Sequence, residues 1–186
     1  MGIRLAGNRL AYRILITLAI SLAASAQPRA VEVWGNIGIA NAAGDEGSIG
    51  TGAIYGAGVS LPFTSRLAFE TNVAGMRAER FAPVTRVLIS PALVFRWGHD
   101  RLYGFAGGGL GLQIDRGEML QFDLAPGETE PTITTRRFTD YGTALHGRAG
   151  IVAALTPKLI FRAEVFSAWH YVAPSCGVQV GAGYRF

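Results

Sequence analysis

Apolar side chains recur at every second position along most of the chain, beginning near residue 30. This is the period of a β-strand, whereas a helix repeats about every 3.6 residues. The pattern predicts eight strands, at residues 30–40, 51–61, 66–77, 85–97, 102–114, 142–155, 158–168 and 177–186. Turn-forming residues separate these stretches and helical periodicity is weak, so we predict an all-β fold.

The two faces of the predicted strands differ in polarity. One face is apolar, as in the first strand, where Val31, Val33, Ile37 and Ile39 lie on the same side. The opposite face carries small and charged residues, and its candidate polar network comprises Glu32, Glu70, Arg86, Arg96, His146, Arg148, Arg162, Glu164 and Arg185. Alternation alone allows two arrangements. A soluble barrel turns the apolar face inward, whereas a membrane barrel turns it outward towards lipid.

The links between the predicted strands alternate in length, which favours the membrane arrangement. Short links lie near residues 62–65, 98–101 and 156–158, and longer ones near 40–50, 77–84, 115–141 and 167–176. In an up-and-down barrel, strict alternation places every short turn at one rim and every long loop at the other. Outer-membrane barrels have this asymmetry, with short periplasmic turns and longer extracellular loops.

Aromatic residues are concentrated near the predicted strand ends, as expected at the interfaces between membrane and water. A dense set lies beside the short links: Phe63, Phe69, Phe95, Trp97, Tyr103, Phe105, Phe161, Tyr184 and Phe186. A sparser set lies towards the long links: Tyr55, Phe81, Phe138, Tyr141, Trp169 and Tyr171. Core aromatics would not be sorted by depth in this way.

The fifth predicted strand breaks the alternation. Tyr103 and Phe105 occupy odd positions, whereas Leu110, Leu112 and Ile114 occupy even ones. We predict a β-bulge within residues 106–109, because one inserted residue would turn both sets outward. The glycine-rich sequence of this strand lacks the Gly-Lys-Ser/Thr of a phosphate-binding loop. We interpret its glycines as space for bulky arginines.

The first 26 residues have the pattern of a cleaved secretory signal. Arg4, Arg9 and Arg13 lie in a segment without acidic residues, and an apolar run follows at residues 14–23. The sequence Ala-Ser-Ala then ends at residue 26, with small residues where a signal peptidase requires them. We therefore expect residues 1–26 to be a signal peptide and residues 27–186 to form one barrel domain. An uncleaved N-terminal anchor is the alternative.

Removal of a signal peptide on export would lower the net positive charge of the chain, and export bears on how its single cysteine is interpreted. The chain has 17 basic and 13 acidic residues, and removal of the signal leaves 14 basic against the same 13 acidic. This near balance gives no support for nucleic-acid binding, which needs clustered basic residues. Cys176 is the single cysteine, so it cannot form an internal disulfide.

The last ten residues, GVQVGAGYRF, alternate up to the terminal aromatic. Their apolar members Val180, Ala182, Tyr184 and Phe186 resemble the C-terminal signal by which outer-membrane barrels are recognised for assembly. Together with the strand count, the link asymmetry and the aromatic belts, the chain resembles the small eight-stranded outer-membrane barrels of the OmpA/OmpX type. The resemblance covers residues from about 30 to 186, and OmpA's separate peptidoglycan-anchoring role is not carried over.

This resemblance implies an eight-stranded antiparallel up-and-down transmembrane β-barrel in the bacterial outer membrane. The expected partners are outer-membrane lipid and the barrel assembly machinery, and the barrel is expected to be a monomer. A lumen of eight strands is narrow enough for side chains to fill it, and its charges should pair. We therefore expect a structural or surface-interaction role. A narrow channel for ions or small solutes is the alternative.

Individual residues bear on three further functions. Lipid A deacylases of this shape carry a His-x-Ser pair, but the nearest segment here has Arg148 two residues after His146, where serine would be needed. The three histidines and one cysteine lack the spacing of metal ligands, so we expect no metal site. We also expect no cofactor and no catalytic residue. An extracellular partner could bind loops 115–141 and 167–176. The first loop could extend its strands above the membrane as an exposed ribbon, because TITTRRF at residues 132–138 has β-propensity, and exposed strand edges can bind a partner by strand addition.

Overall fold

The computed structural model describes residues 30–44, 47–79, 83–123, 132–170 and 174–186. The predicted signal peptide lies outside the described residues, as do Phe81 and Tyr171. Within the described parts of the chain, there is no helix that is long and apolar enough to cross a membrane.

Eight antiparallel strands form a closed barrel in which each strand pairs with its neighbours in sequence. They are β1 (Glu32–Gly44), β2 (Gly47–Pro62), β3 (Leu67–Glu79), β4 (Pro83–His99), β5 (Leu102–Asp123), β6 (Thr132–Ala154), β7 (Leu159–Trp169) and β8 (Ser175–Arg185). Pairing of β8 with β1 closes the ring, for example between Tyr184 and Val33. The predicted fold class, strand number and order are confirmed.

The links at the two rims differ less in length than predicted, because several strands continue into the segments that were predicted to be long loops. At one rim, which we call the turn rim, the strands are joined through residues 63–66, 100–101 and 155–158, as predicted. At the opposite rim, β5 and β6 remain paired as far as Asp123 and Thr132, through much of the predicted loop 115–141. We call residues 116–123 and 132–140 the ribbon, and its end of the barrel the ribbon rim.

The barrel wall has an apolar outer surface and a polar inner surface. Outward side chains such as Ile37 (67% exposed), Leu93 and Val165 are apolar and exposed, whereas Glu32, Glu70 and Arg162 are buried inside. The larger exposed apolar residues include Val33, Ile39, Val73, Leu110, Leu145, Ile151, Leu159, Phe161, Val178 and Val180. This is the reverse of a soluble barrel, in which the apolar face would be enclosed.

The outer surface carries aromatic residues towards both rims. At the turn rim, Phe95 stacks on Trp97 with ring centroids 6.2 Å apart, and Tyr184 meets Phe186 edge to face at 4.9 Å. Towards the ribbon rim, Tyr55, Tyr141 and Trp169 are exposed. Two members of the predicted turn-rim belt, Tyr103 and Phe105, are not on this surface.

The predicted bulge in residues 106–109 is wrong. Ile89 pairs with Leu112 and Leu93 pairs with Gly108, so the offset between β4 and β5 is the same on both sides and no residue is inserted. Tyr103 (7% exposed) and Phe105 (0%) instead face the lumen. An aromatic ring can pack against buried guanidinium groups as well as against lipid, so residue type alone does not decide its side.

Candidate functional site: the lumen network

The nine residues of the predicted polar network all point to the interior of the barrel, from six different strands. Eight of them are buried, namely Glu32, Glu70, Arg86, Arg96, His146, Arg148, Arg162 and Glu164. Arg185 is half-buried beside the turn rim. Strand periodicity places alternate side chains on the same face, which is why these positions share the lumen.

Glu70 is the central acceptor of the lumen. Its carboxylate accepts hydrogen bonds from Arg162 Nη2 at 2.7 Å and from Arg96 Nη2 at 3.2 Å. Arg148 Nη1 lies 3.9 Å from the same carboxylate. Because β3 and β7 are four strands apart around the ring, the Glu70–Arg162 pair crosses the full width of the barrel.

Glu32 anchors the network near the turn rim. It accepts hydrogen bonds from the Tyr103 hydroxyl at 2.6 Å, from Arg96 Nη2 at 3.0 Å and from Arg185 Nη2 at 2.7 Å. Arg96 therefore bridges Glu32 and Glu70, and it also donates to Ser60 Oγ at 2.6 Å. These shared donors make the turn-rim half of the lumen one continuous charged network.

Arg162 is held between aromatic rings as well as between carboxylates. Its guanidinium lies 4.3 Å from the Trp34 ring centroid and 3.8 Å from that of Phe105. Its Nε donates to Glu164 Oε2 at 2.7 Å, and Gln179 donates to the same carboxylate group. Sequence reasoning missed Trp34 and Phe105 as lumen residues, although Trp34 shares the parity of Glu32 on β1 and Phe105 shares the parity of Gln113 on β5.

A second ion pair lies near the ribbon rim. Arg86 donates to both oxygens of Asp115 at 2.8 Å, a bidentate arrangement, and Nη2 also reaches the Ala43 carbonyl at 3.1 Å. Gln113 donates to Asp115 at 3.0 Å. Asp115 was predicted to lie at the start of the long link 115–141. It is buried here because β5 continues past residue 114.

Apolar side chains separate the two charged groups along the lumen. On β4 the inward order is Arg86, Leu88, Ser90, and Leu88 packs with Ala144 and Ala168. A second apolar cluster at this level contains Ala40, Ala42, Ile54, Ala74 and Met76, with Phe166 packed against both clusters. The lumen is thus filled in layers: charged, apolar, charged.

A small cavity of about 20 Å³ lies beside Arg148, with Ser90, His146 and Gln179 in its lining. This volume is large enough for about one water molecule. The Arg148 guanidinium reaches Ser90 Oγ at 2.9 Å, and His146 Nε2 lies 2.7 Å from the Pro91 carbonyl oxygen. His146 therefore faces the lumen, where its hydrogen bond with Pro91 links β6 to β4.

Chemically, this arrangement can hold opposite walls of the barrel together and obstruct passage. Arg86, Arg96 and Arg162 pair with carboxylates from other strands, and apolar side chains such as Leu88 and Phe166 occupy the lumen between the two charged groups. A pore would instead need a continuous polar lining with room for solvent.

Comparisons with known proteins agree on the architecture. No family model and no curated protein matches the chain. The solved structure of Neisserial surface protein A is similar at a TM-score of 0.63 and 14% identity, covering 84% of this chain and 97% of that one. Ail, the attachment invasion locus protein of Yersinia pestis, is similar at 0.61 and 14%, covering 86% and 100%.

A third solved structure has the same arrangement. The N-terminal β-barrel domain of Pseudomonas aeruginosa OprF is similar at a TM-score of 0.52 and 12% identity, covering 82% of this chain and 97% of that domain. Identities this low report on the fold and not on ligands or activity. The chain therefore has the fold of the small eight-stranded outer-membrane β-barrels.

Proposed function

We propose that this chain is an integral protein of the bacterial outer membrane whose barrel is closed to solutes and has a structural role in the envelope. The observation that carries the proposal is the combination of an apolar outer wall with a lumen filled by paired charges. Exposure of so large a continuous apolar surface to water would be unfavourable, whereas contact with lipid requires an apolar surface. The closed ring leaves the wall without a free strand edge inside the bilayer.

The proposal includes the two terminal signals. Residues 1–26 would direct export and be removed. Val180, Ala182, Tyr184 and Phe186 would present the assembly signal, which is supported by their common outward face on the strand that closes the ring. The Phe186 backbone N–H donates to the Val31 carbonyl at 2.9 Å, so the terminal residue is tied to the first strand.

Two measurements on one purified protein test the closed-barrel proposal. The protein should be recovered in the outer-membrane fraction and migrate faster on a detergent gel before boiling than after it, because a folded barrel resists detergent. The same protein should give no current steps in a planar lipid bilayer, since paired charges and the apolar layer fill the lumen. Reproducible unitary conductance would overturn the closed lumen, and recovery in a soluble fraction would overturn the membrane role.

A second candidate function is surface binding through the ribbon. Among the described residues, the last β6 pair on the β7 side is Leu145 with Trp169, so β6 continues past the end of β7 towards the ribbon. The last β5 pair on the β4 side is Val84 with Gly117. Exposed edges of this kind can bind a partner strand. Ail has been crystallised with the heparin analogue sucrose octasulfate, which suggests a first probe.

Shortening the ribbon tests this second function. Residues 119–136 would be replaced by Asn-Gly, a two-residue hairpin turn, while the Glu118–Arg137 pair is kept to close the hairpin. We expect the full-length protein to be retained on immobilised heparin and the shortened protein to be eluted earlier, with unchanged heat-modifiable migration. Equal retention of the two proteins would contradict a binding role of the ribbon.

A further inference from the structure

The charges in the turn-rim half of the lumen do not balance. Among the described residues, this part of the network contains four arginines and three glutamates, namely Arg96, Arg148, Arg162, Arg185, Glu32, Glu70 and Glu164. Three of these arginines donate a hydrogen bond to a carboxylate, but Arg148 donates none to any carboxylate in the described part of the chain. The surplus positive charge is therefore centred on Arg148.

Arg148 is buried with most of its hydrogen-bond donors unused. It is 5% exposed, and its Nη2 donates to Ser90 Oγ at 2.9 Å. Its Nη1 lies 3.9 Å from the nearest oxygen of Glu70, which is too far for a hydrogen bond. Nε and Nη1 have no hydrogen-bond partner among the residues that the structure describes. Because a guanidinium group has five N–H donors, more than half of those on Arg148 can serve a ligand.

The cavity of about 20 Å³ lies directly beside this side chain. Its polar lining includes Arg148, Asn72, Ser90 and Gln179. Asn72 accepts a hydrogen bond from Asn36 through Oδ1 at 3.2 Å, so Nδ2 is the remaining polar atom of its side chain. The volume suffices for one water molecule, and a chloride ion is only slightly larger than water. The cavity thus combines room for one small ligand with the unused donors of a buried cation.

We propose that this cavity binds one monovalent halide ion, chloride under physiological conditions, through the guanidinium group of Arg148. The anion compensates the surplus charge of the turn-rim half of the lumen. An uncompensated charge in so confined a space is costly, and hydrogen bonds between a guanidinium group and an anion are stronger than those to a neutral acceptor. The closed barrel would therefore carry a specific ligand inside its lumen.

A water molecule is the competing occupant of the cavity. It would accept a hydrogen bond from Arg148 and donate one to Gln179 Oε1, which has no partner among the described residues. A neutral molecule would nevertheless leave the surplus charge in place. Burial of an uncompensated charge costs more than one amide oxygen without a hydrogen bond, so the charge balance favours the anion.

Halide binding at this position does not require conduction. Leu88 and Phe166 also line the cavity, and they belong to the apolar side chains that lie between the two charged groups of the lumen. The ion is therefore a fixed counter-ion of the network, and the closed-barrel proposal is unchanged.

The test is anomalous diffraction from crystals of the purified protein, refolded and crystallised in sodium bromide. Bromide replaces chloride and can be located at the bromine absorption edge. We expect an anomalous peak within hydrogen-bonding distance of Arg148 Nε or Nη1. Arg148→Gln should lose the peak, because it removes both the surplus charge and the donors. The matched control is Arg66→Gln, which removes one exposed positive charge at the turn rim and should keep the peak.

Stability in solution gives a second measurement, which decides the proposal even if Arg148→Gln does not fold. Urea unfolding of the unmodified protein in vesicles is compared in sodium chloride and in sodium gluconate at equal ionic strength, because gluconate is too large for the cavity. Above the dissociation constant, each tenfold rise in chloride should raise the folding equilibrium constant about tenfold. Gluconate should have no such effect, and Arg148→Gln should unfold equally in both salts.

Three results would overturn the proposal. Electron density beside Arg148 without an anomalous signal would identify water. Bromide located solely at exposed side chains, or a peak that Arg148→Gln retains, would show an adventitious ion only. Equal stability of the unmodified protein in chloride and in gluconate would show that no halide is bound on folding.

Discussion

Replacing Glu70 by glutamine should lower the free energy of unfolding by about 3–5 kcal/mol, the cost of removing one partner from a buried ion pair. Glu70 is fully buried and accepts hydrogen bonds from Arg162 and Arg96, with Arg148 close by. The amide keeps the shape of the side chain but removes its charge. Three arginine side chains would then face one another in a narrow lumen with insufficient compensation.

Urea unfolding of the barrel in phospholipid vesicles, followed by tryptophan fluorescence, measures this effect. The matched control is Glu118→Gln, which removes a carboxylate paired with Arg137 on the exposed ribbon. Exposed pairs contribute less than about 1 kcal/mol, so the control should unfold almost as the unmodified protein does. A loss for Glu70→Gln no larger than that of the control would show that the lumen network does not stabilise the barrel.

Replacing Val73 by arginine should destabilise the barrel in vesicles by about 2–4 kcal/mol, the cost of an arginine on the lipid face near the bilayer midplane. Val73 lies in the middle of β3, points outward and is 46% exposed. In a soluble protein an arginine at such an exposed position would cost little. The size of the effect therefore reports directly on whether lipid covers this surface.

The control for depth is Leu159→Arg. Leu159 is the first residue of β7 at the turn rim and has nearly the same exposure, 43%. Close to the interface the cost of arginine falls to about 0–1 kcal/mol, because the guanidinium group reaches water. Both variants would be unfolded in the same vesicles. Equal stability of the two variants would contradict the proposed position of the membrane along the barrel.

The β-propensity of residues 132–138 indicated that the long link could extend its strands into a ribbon, but the residues at which those strands end could not be predicted from the sequence. Charged residues occur on both faces of the ribbon, at Arg116, Glu118, Arg136 and Arg137, so the alternation of apolar and polar positions that indicates a strand is interrupted there. The ribbon is nevertheless paired, because its order depends on backbone hydrogen bonds between β5 and β6. Asp115 was consequently assigned to a loop, and its pairing with Arg86 was missed.

Whether an aromatic residue faces the lumen or the outer surface also depended on the tertiary structure. Tyr103 and Phe105 have the residue type of a membrane belt and the parity of the lumen, and the structure follows the parity. Arg96 lies 4.8 Å from the Tyr103 ring and Arg162 lies 3.8 Å from the Phe105 ring. The inward environment for these rings exists only once the charged residues of other strands are in place.

The amino-acid sequence by itself determined the number of strands and, outside β5, which positions share a face, because an alternation of two residues is a local property that needs no knowledge of neighbours. The tertiary structure decided which charges meet. Glu70 and Arg162 are 92 positions apart and lie on opposite walls, and only closure of β8 against β1 brings those walls within hydrogen-bonding distance. Partner choice across a lumen is a property of the closed ring, which no single strand encodes.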